Sequence, residues 1–149
     1  MSRDLHRIAS MEEKLDEPSD KDRLNALTQQ IIGAAIDVHR ALGPGLLESA
    51  YEACFAYELI QRNLHVQRQK PLPVVYRDVT LDCAYRMDIV VNDEVIVEVK
   101  AVEKLNHVHE AQMISYLRLY RKRVGLLFNF NVKWLSSGGW KRLANDFPD

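Results

Sequence analysis

The chain reads as an α/β domain, a mixed β-sheet flanked by α-helices. Three observations predict this. Apolar residues recur at helical steps through residues 24–62, and the period then drops to two through residues 66–99. A last helical stretch at 106–120 leads into a nearly all-apolar run at 124–130. A chain of 149 residues with 47% hydrophobic side chains can build one buried core, and global disorder is excluded.

Each element has its own signal. Residues 1–22 carry four basic and seven acidic side chains, net −3, with a Pro-Ser-Asp break at Pro18. They are expected to form a flexible N-terminal arm ahead of a domain spanning 23–149. Leu24, Leu27, Ile31, Ala35, Val38 and Leu42 mark the first helix, and Gly43-Pro44-Gly45 stops it. Leu47, Tyr51, Cys54, Phe55 and Leu59 mark a second helix from about Leu47 to Arg62, which opens with Glu48.

Val66–Lys70 and Leu72–Arg77 read as short strands separated by Pro71 and Pro73. Thr80–Val91 reads as a longer strand and Val95–Val99 as another, with a hairpin turn at Asn92-Asp93. The third helix spans about Asn106–Tyr120. Val124–Phe130 reads as a strand covered on both faces. Residues 132–147 carry no clear period.

Composition bounds the function. Twenty basic against 21 acidic residues give a net charge of −1, which excludes a basic coat protein for nucleic acid but not a local basic groove. Two cysteines, Cys54 and Cys83, are too few for a disulfide scaffold and are expected as buried free thiols. No apolar run reaches the roughly 18 residues that span a bilayer. Met1–Leu15 has no apolar block of a secretory signal, so a cytoplasmic protein is expected.

One constellation points to chemistry. Val95-Ile96-Val97-Glu98-Val99-Lys100 alternates, putting Glu98 and Lys100 on one face and the three valines on the other. Asp88 lies in the preceding apolar strand. A two-residue turn would pair Asp88 with Val97 and send Glu98 away from it. A three-residue turn of Asn92, Asp93 and Glu94, or a bulge, pairs Asp88 with Glu98, and this register is the expectation. Two carboxylates beside an ammonium suit a hard divalent cation such as Mg²⁺. The bland alternative is a set of solvated charges or a surface ion pair.

Further motifs extend the pattern: Gly45-Leu46-Leu47-Glu48-Ser49-Ala50-Tyr51, Arg86-x-Asp88, Glu98-Val99-Lys100, Ala111-Gln112 with Tyr116, and Val124–Phe130. Together, over roughly residues 24–135, they resemble the GxxExxY protein family, a branch of the PD-(D/E)xK nucleases. The resemblance implies a restriction-endonuclease-like core, α-β-β-β-α-β. It implies Asp88, Glu98 and Lys100 as the catalytic trio, with Glu48, Asp88, Glu98 and the Val99 carbonyl as ligands for Mg²⁺ or Mn²⁺. It also implies that Gln112 and Tyr116, four apart on one helix face, touch substrate. The proline that often precedes the first aspartate is absent, since Met87 precedes Asp88.

Arg86 either contacts phosphate or pairs with Glu48. Tyr51 is expected to pack under the site, and His39, His107 and His109 to be structural or surface groups. Trp134 and Trp140 are expected in core or lid packing, with base stacking as the alternative. Lys100, Lys104, Arg118, Arg121, Lys122 and Arg123 outweigh Glu103 and Glu110 by +4, which suits a phosphate partner near the site. The expected function is phosphodiester hydrolysis in DNA by a divalent-metal-dependent nuclease. The rival is a non-catalytic interaction module that keeps the nuclease fold. One short domain offers little surface to grip a duplex, which is compatible with a homodimer.

Overall fold

The computed structural model describes residues 17–82 and 85–145. The elements run α1 (Asp20–Leu42), α2 (Glu48–Gln61), β1 (Val66–Pro71), β2 (Val74–Tyr76), β3 (Val79–Leu81), β4 (Arg86–Val91), β5 (Val95–Lys100), α3 (His107–Tyr120), β6 (Val124–Asn129) and β7 (Trp140–Ala144). Five strands form one sheet in the order β1-β4-β5-β6-β7, while β2 and β3 form a separate two-stranded hairpin. β5 and β6 run parallel, joined by the α3 crossover, and the other neighbours are antiparallel. This is the expected mixed α/β architecture, with the helices divided between the two faces of the sheet.

The core explains the division. Ile31, Ala35, Tyr51, Phe55 and Leu59 of α1 and α2 pack on Ile89, Val91, Val95, Val97 and Val99. Met113, Tyr116 and Leu117 of α3 pack on Val90, Ile96 and Leu127 across the other face. β5 is therefore covered on both sides, as its continuous apolar run requires. Ser19 caps α1 by accepting from the Asp22 N–H, with Asp20 and Asp22 in the first turn. The helix thus takes in residues 20–22 of the segment assigned to the arm, and residues 1–16 lie outside the described residues.

Several expectations need correction. Thr80–Val91 is not one strand: Val79–Leu81 pairs with Val74–Tyr76, and β4 begins only at Arg86. Pro71 and Pro73 have no N–H to continue β1, so the chain leaves the sheet there. Leu72 instead donates to the Tyr85 carbonyl and buries its own side chain. The unassigned tail supplies β7, an edge strand on β6. Trp140 and Leu143 pack on opposite faces, an odd spacing that conceals any period of two. Cys54 is exposed, because burial of Tyr51, Phe55 and Leu59 turns it to the outer side of α2. Leu47 is the exposed N-cap of α2 and takes no part in the core. Cys83 lies outside the described residues.

The loop between α1 and α2 is tied from below. The Tyr51 hydroxyl donates to the Gly43 carbonyl at 2.5 Å and accepts from the Leu46 N–H at 3.0 Å. Its ring stacks on Phe130 with centroids 4.7 Å apart. Gly45, at φ +104, makes a turn that a side chain would strain. The Gly45, Glu48 and Tyr51 spacing thus fixes where α2 begins. Tyr51→Phe leaves the Leu46 N–H without its acceptor and is expected to cost about 1–2 kcal/mol. Urea denaturation should show a lower midpoint at unchanged slope; an unshifted midpoint contradicts this role.

Candidate active site

The site forms where the β4–β5 ladder breaks. Their register is Val91 with Val95, Val90 with Ile96 and Ile89 with Val97, the three-residue turn expected. Asn92 and Asp93, both at φ +52, make that turn, and Glu94 donates back to the Val91 carbonyl. Regular pairing then stops. Met87 and Ile89 are two apart yet bury on opposite faces of the sheet, so the alternation slips at Asp88.

Side chains replace the missing ladder bonds. The Asp88 N–H donates to Glu98 Oε1 at 3.4 Å, and the Val99 N–H donates to Asp88 Oδ2 at 2.8 Å. Each carboxylate thereby closes a backbone donor on the neighbouring strand. Glu98 is only 3% exposed. Burial, then the hydrogen bond and negative charge of Asp88, push its carboxyl up to about 10, against the opposing pull of Lys100. Glu98 therefore holds a proton at neutral pH in the metal-free protein.

The remaining groups converge from the helices. Glu48, the first residue of α2, accepts from the Ala101 N–H at 3.1 Å, just past the end of β5. Glu48, Ser49, Glu52, Gln69, Asp88 and Val99 line a cleft of about 400 Å³, with Glu98 buried behind Asp88. Lys100 Nζ donates to Gln112 Oε1 at 3.3 Å, and Gln112 Nε2 donates to the Tyr116 hydroxyl at 3.0 Å. Tyr116 is buried, and that burial raises its hydroxyl above the usual phenol range.

Not every expected contact forms. Arg86 turns its guanidinium to the Gln69 carbonyl at 3.3 Å and does not pair with Glu48. The basic run Arg121-Lys122-Arg123 precedes Val124, which pairs with Val95 at the far end of β5. It is therefore a strand length from Lys100, roughly 17 Å. Lys122 there pairs with Asp93 at 3.5 Å. The count of +4 consequently divides between two ends of the molecule. His39 Nε2 donates to the Val132 carbonyl, 2.7 Å away, and His109 Nδ1 accepts from the Asn106 N–H in a capping box, so both are structural. His107 is exposed beside Glu110. Trp140 packs against the core, whereas Trp134 is 65% exposed.

Two residues at the site escaped the sequence reading. Glu52 is buried and accepts from Arg68 Nη2 at 2.9 Å and Gln69 Nε2 at 2.5 Å. Gln69 also donates to Asp88 Oδ1 at 3.3 Å. The spacing of Glu52 four residues after Glu48 was the available signal, since both share one helix face.

Among the described residues, no three His, Cys, Asp or Glu side chains are grouped as a metal centre. The donor set still suits Mg²⁺ or Mn²⁺, which take oxygens from one or two carboxylates and complete their shell with water. Asp88 and Glu98 supply adjoining carboxyl oxygens, and Val99 and Glu48 border the same cleft. Among the described residues no helix is long and apolar enough to cross a membrane.

No curated protein and no solved structure matches the chain. The family described as the PD-(D/E)XK nuclease superfamily matches residues 25–143. That span holds most of α1, all of α2 and α3, the five sheet strands up to Leu143 and every residue of the cleft. The chain belongs to the PD-(D/E)XK nuclease superfamily.

Proposed function

We propose that this chain is a Mg²⁺- or Mn²⁺-dependent nuclease of the GxxExxY branch that hydrolyses phosphodiester bonds in DNA, as a soluble cytoplasmic protein. The observation that carries the reading is the Asp88–Glu98 carboxyl pair at the broken ladder, with Lys100 two residues along the same strand. Asp88, Glu98 and the Val99 carbonyl would hold the ion, with Glu48 beside them. When bound, it supplies Lewis-acid polarisation of the scissile phosphate.

The chain's own groups do the rest. Lys100, steadied by Gln112, orients the attacking water and offsets charge that develops on the phosphate. Water oxygen bonds to phosphorus as the bond to the leaving sugar oxygen breaks, in line on the opposite side; the water's proton passes to solvent and the leaving oxygen takes one up from solvent. Gln112 and Tyr116 steady the strand beside Lys100. Lys104 and Arg86, both exposed at this end of the sheet, are the nearby cations for flanking phosphates. A second reading, an interaction module on the nuclease fold, is favoured by the engagement of Glu48 with Ala101 and the absence of a three-group metal centre among the described residues.

Cleavage separates the two. Single- and double-stranded DNA incubated with Mg²⁺ or Mn²⁺ should be cut by wild type, and about 10²–10³-fold more slowly by Lys100→Ala. Absence of cutting by wild type selects the interaction module, and equal cutting by both refutes the catalytic role of Lys100.

The Glu98 carboxyl also makes stability depend on pH. Its pKa rises from 4.5 unfolded to about 10 folded, so folding takes up a proton. This contribution is complete below the unfolded value and fades as pH rises towards the folded one. In metal-free buffer, Glu98→Gln should match wild type near the acid end and become the more stable protein as pH rises. The gap widens by at most about 1.4 kcal/mol per pH unit. Parallel stability curves for the two proteins across that range would show that Glu98 ionises freely in the fold.

A further inference from the structure

Gln69 sits inside β1 with φ +49, a left-handed conformation that costs a non-glycine residue about 1–2 kcal/mol. On either side of it β1 pairs regularly with β4, Arg68 with Ile89 and Lys70 with Met87. Gln69 itself, opposite Asp88, makes no ladder pair. A glycine would serve such a kink without strain. The side chain must therefore contribute something that glycine lacks.

Its contacts show what. The amide carries two N–H donors. Nε2 donates to Glu52 Oε1 at 2.5 Å and to Asp88 Oδ1 at 3.3 Å. Glu52 is itself immobilised: Arg68 Nε and Nη2 both donate to Oε2, at 3.2 and 2.9 Å. Asp88 Oδ2 is taken by the Val99 N–H. Gln69 thus holds the other oxygen of Asp88. The short bond anchors the amide to α2, and the long one aims Oδ1 while leaving it easy to release.

We propose that Gln69 is the positioning residue that sets Asp88 in its metal-binding orientation, with Glu52 and Arg68 holding Gln69 in turn. The proposal rests on the metal reading of the site. Groups that orient a metal ligand typically contribute 10–100-fold in affinity.

The test uses the full chain and Mn²⁺ alone, titrated by calorimetry, beside urea denaturation of the metal-free protein. Gln69→Gly relieves the left-handed strain but leaves Glu52 Oε1 without its donor; the two effects are of similar size and opposite sign, so its urea midpoint should stay close to that of wild type. It should bind Mn²⁺ about 10–100-fold more weakly. A purely structural kink residue would give no such split between stability and affinity. Arg68→Lys, which keeps Gln69 but loosens Glu52, should weaken binding by a smaller factor. In metal-free protein, the Val99 amide resonance should move in Gln69→Gly, since its acceptor Asp88 is no longer held. Binding by Gln69→Gly within about twofold of wild type overturns the proposal, as does an unmoved Val99 resonance. Wild type that binds no Mn²⁺ overturns the metal reading and this proposal with it; wild-type binding matched by the variant overturns only the proposal.

Discussion

The candidate site depends on a break in hydrogen bonding between two central strands. β4 and β5 pair regularly from their turn as far as Ile89 and Val97, and at the next step side chains take over from the backbone. A buried N–H without a partner costs as much as a lost hydrogen bond. Asp88 and Glu98 remove that cost at Val99 and at Asp88 itself. Their carboxyl groups are thereby held at a fixed separation from the two backbones.

This arrangement concentrates negative charge where the sheet is well covered. A buried carboxylate is unfavourable unless it is paired, hydrogen-bonded or protonated. Glu98 resolves this by holding its proton, and Asp88 by accepting from Val99 and Gln69. Lys100 opposes the charge only partly, because its ammonium is directed to Gln112. The centre is thus short of positive charge. Burial first, and the neighbouring Asp88 second, account for the proton that Glu98 retains.

Much of this was legible in the chain. Helical spacing and the change of period at residue 66 placed α1, α2, β1 and α3 to within a few residues. The alternation of Val95–Lys100 correctly assigned both faces of β5, because a strand buried on each side tolerates few polar residues and makes them conspicuous. The turn register followed from asking which pairing brings Asp88 beside Glu98. What stayed hidden depends on long-range contacts. Gln69 is an ordinary polar residue in an ordinary strand pattern, and only its partner strand shows the left-handed kink. Glu52 is one turn from Glu48, yet its burial follows from Arg68 reaching across from β1. β7 is an edge strand, with one hydrogen-bonding side and few residues to impose a pattern. The basic run before Val124 was close to the site in sequence but not in space, since a parallel crossover returns the chain to the start of β5.

The hairpin of β2 and β3 has a consequence of its own. It joins β1 to β4 but pairs with neither, and Val75, Tyr76, Val79 and Leu81 all face solvent. An isolated pair of strands is at best marginally stable in water. Its amides should exchange with deuterium long before those of the five-stranded sheet. Fraying there need not disturb β4 and β5, because Leu72 and Tyr85 close the base of the excursion through their own backbone bond. The excursion is accordingly a place where length and composition can vary between relatives at little expense to the carboxyl pair.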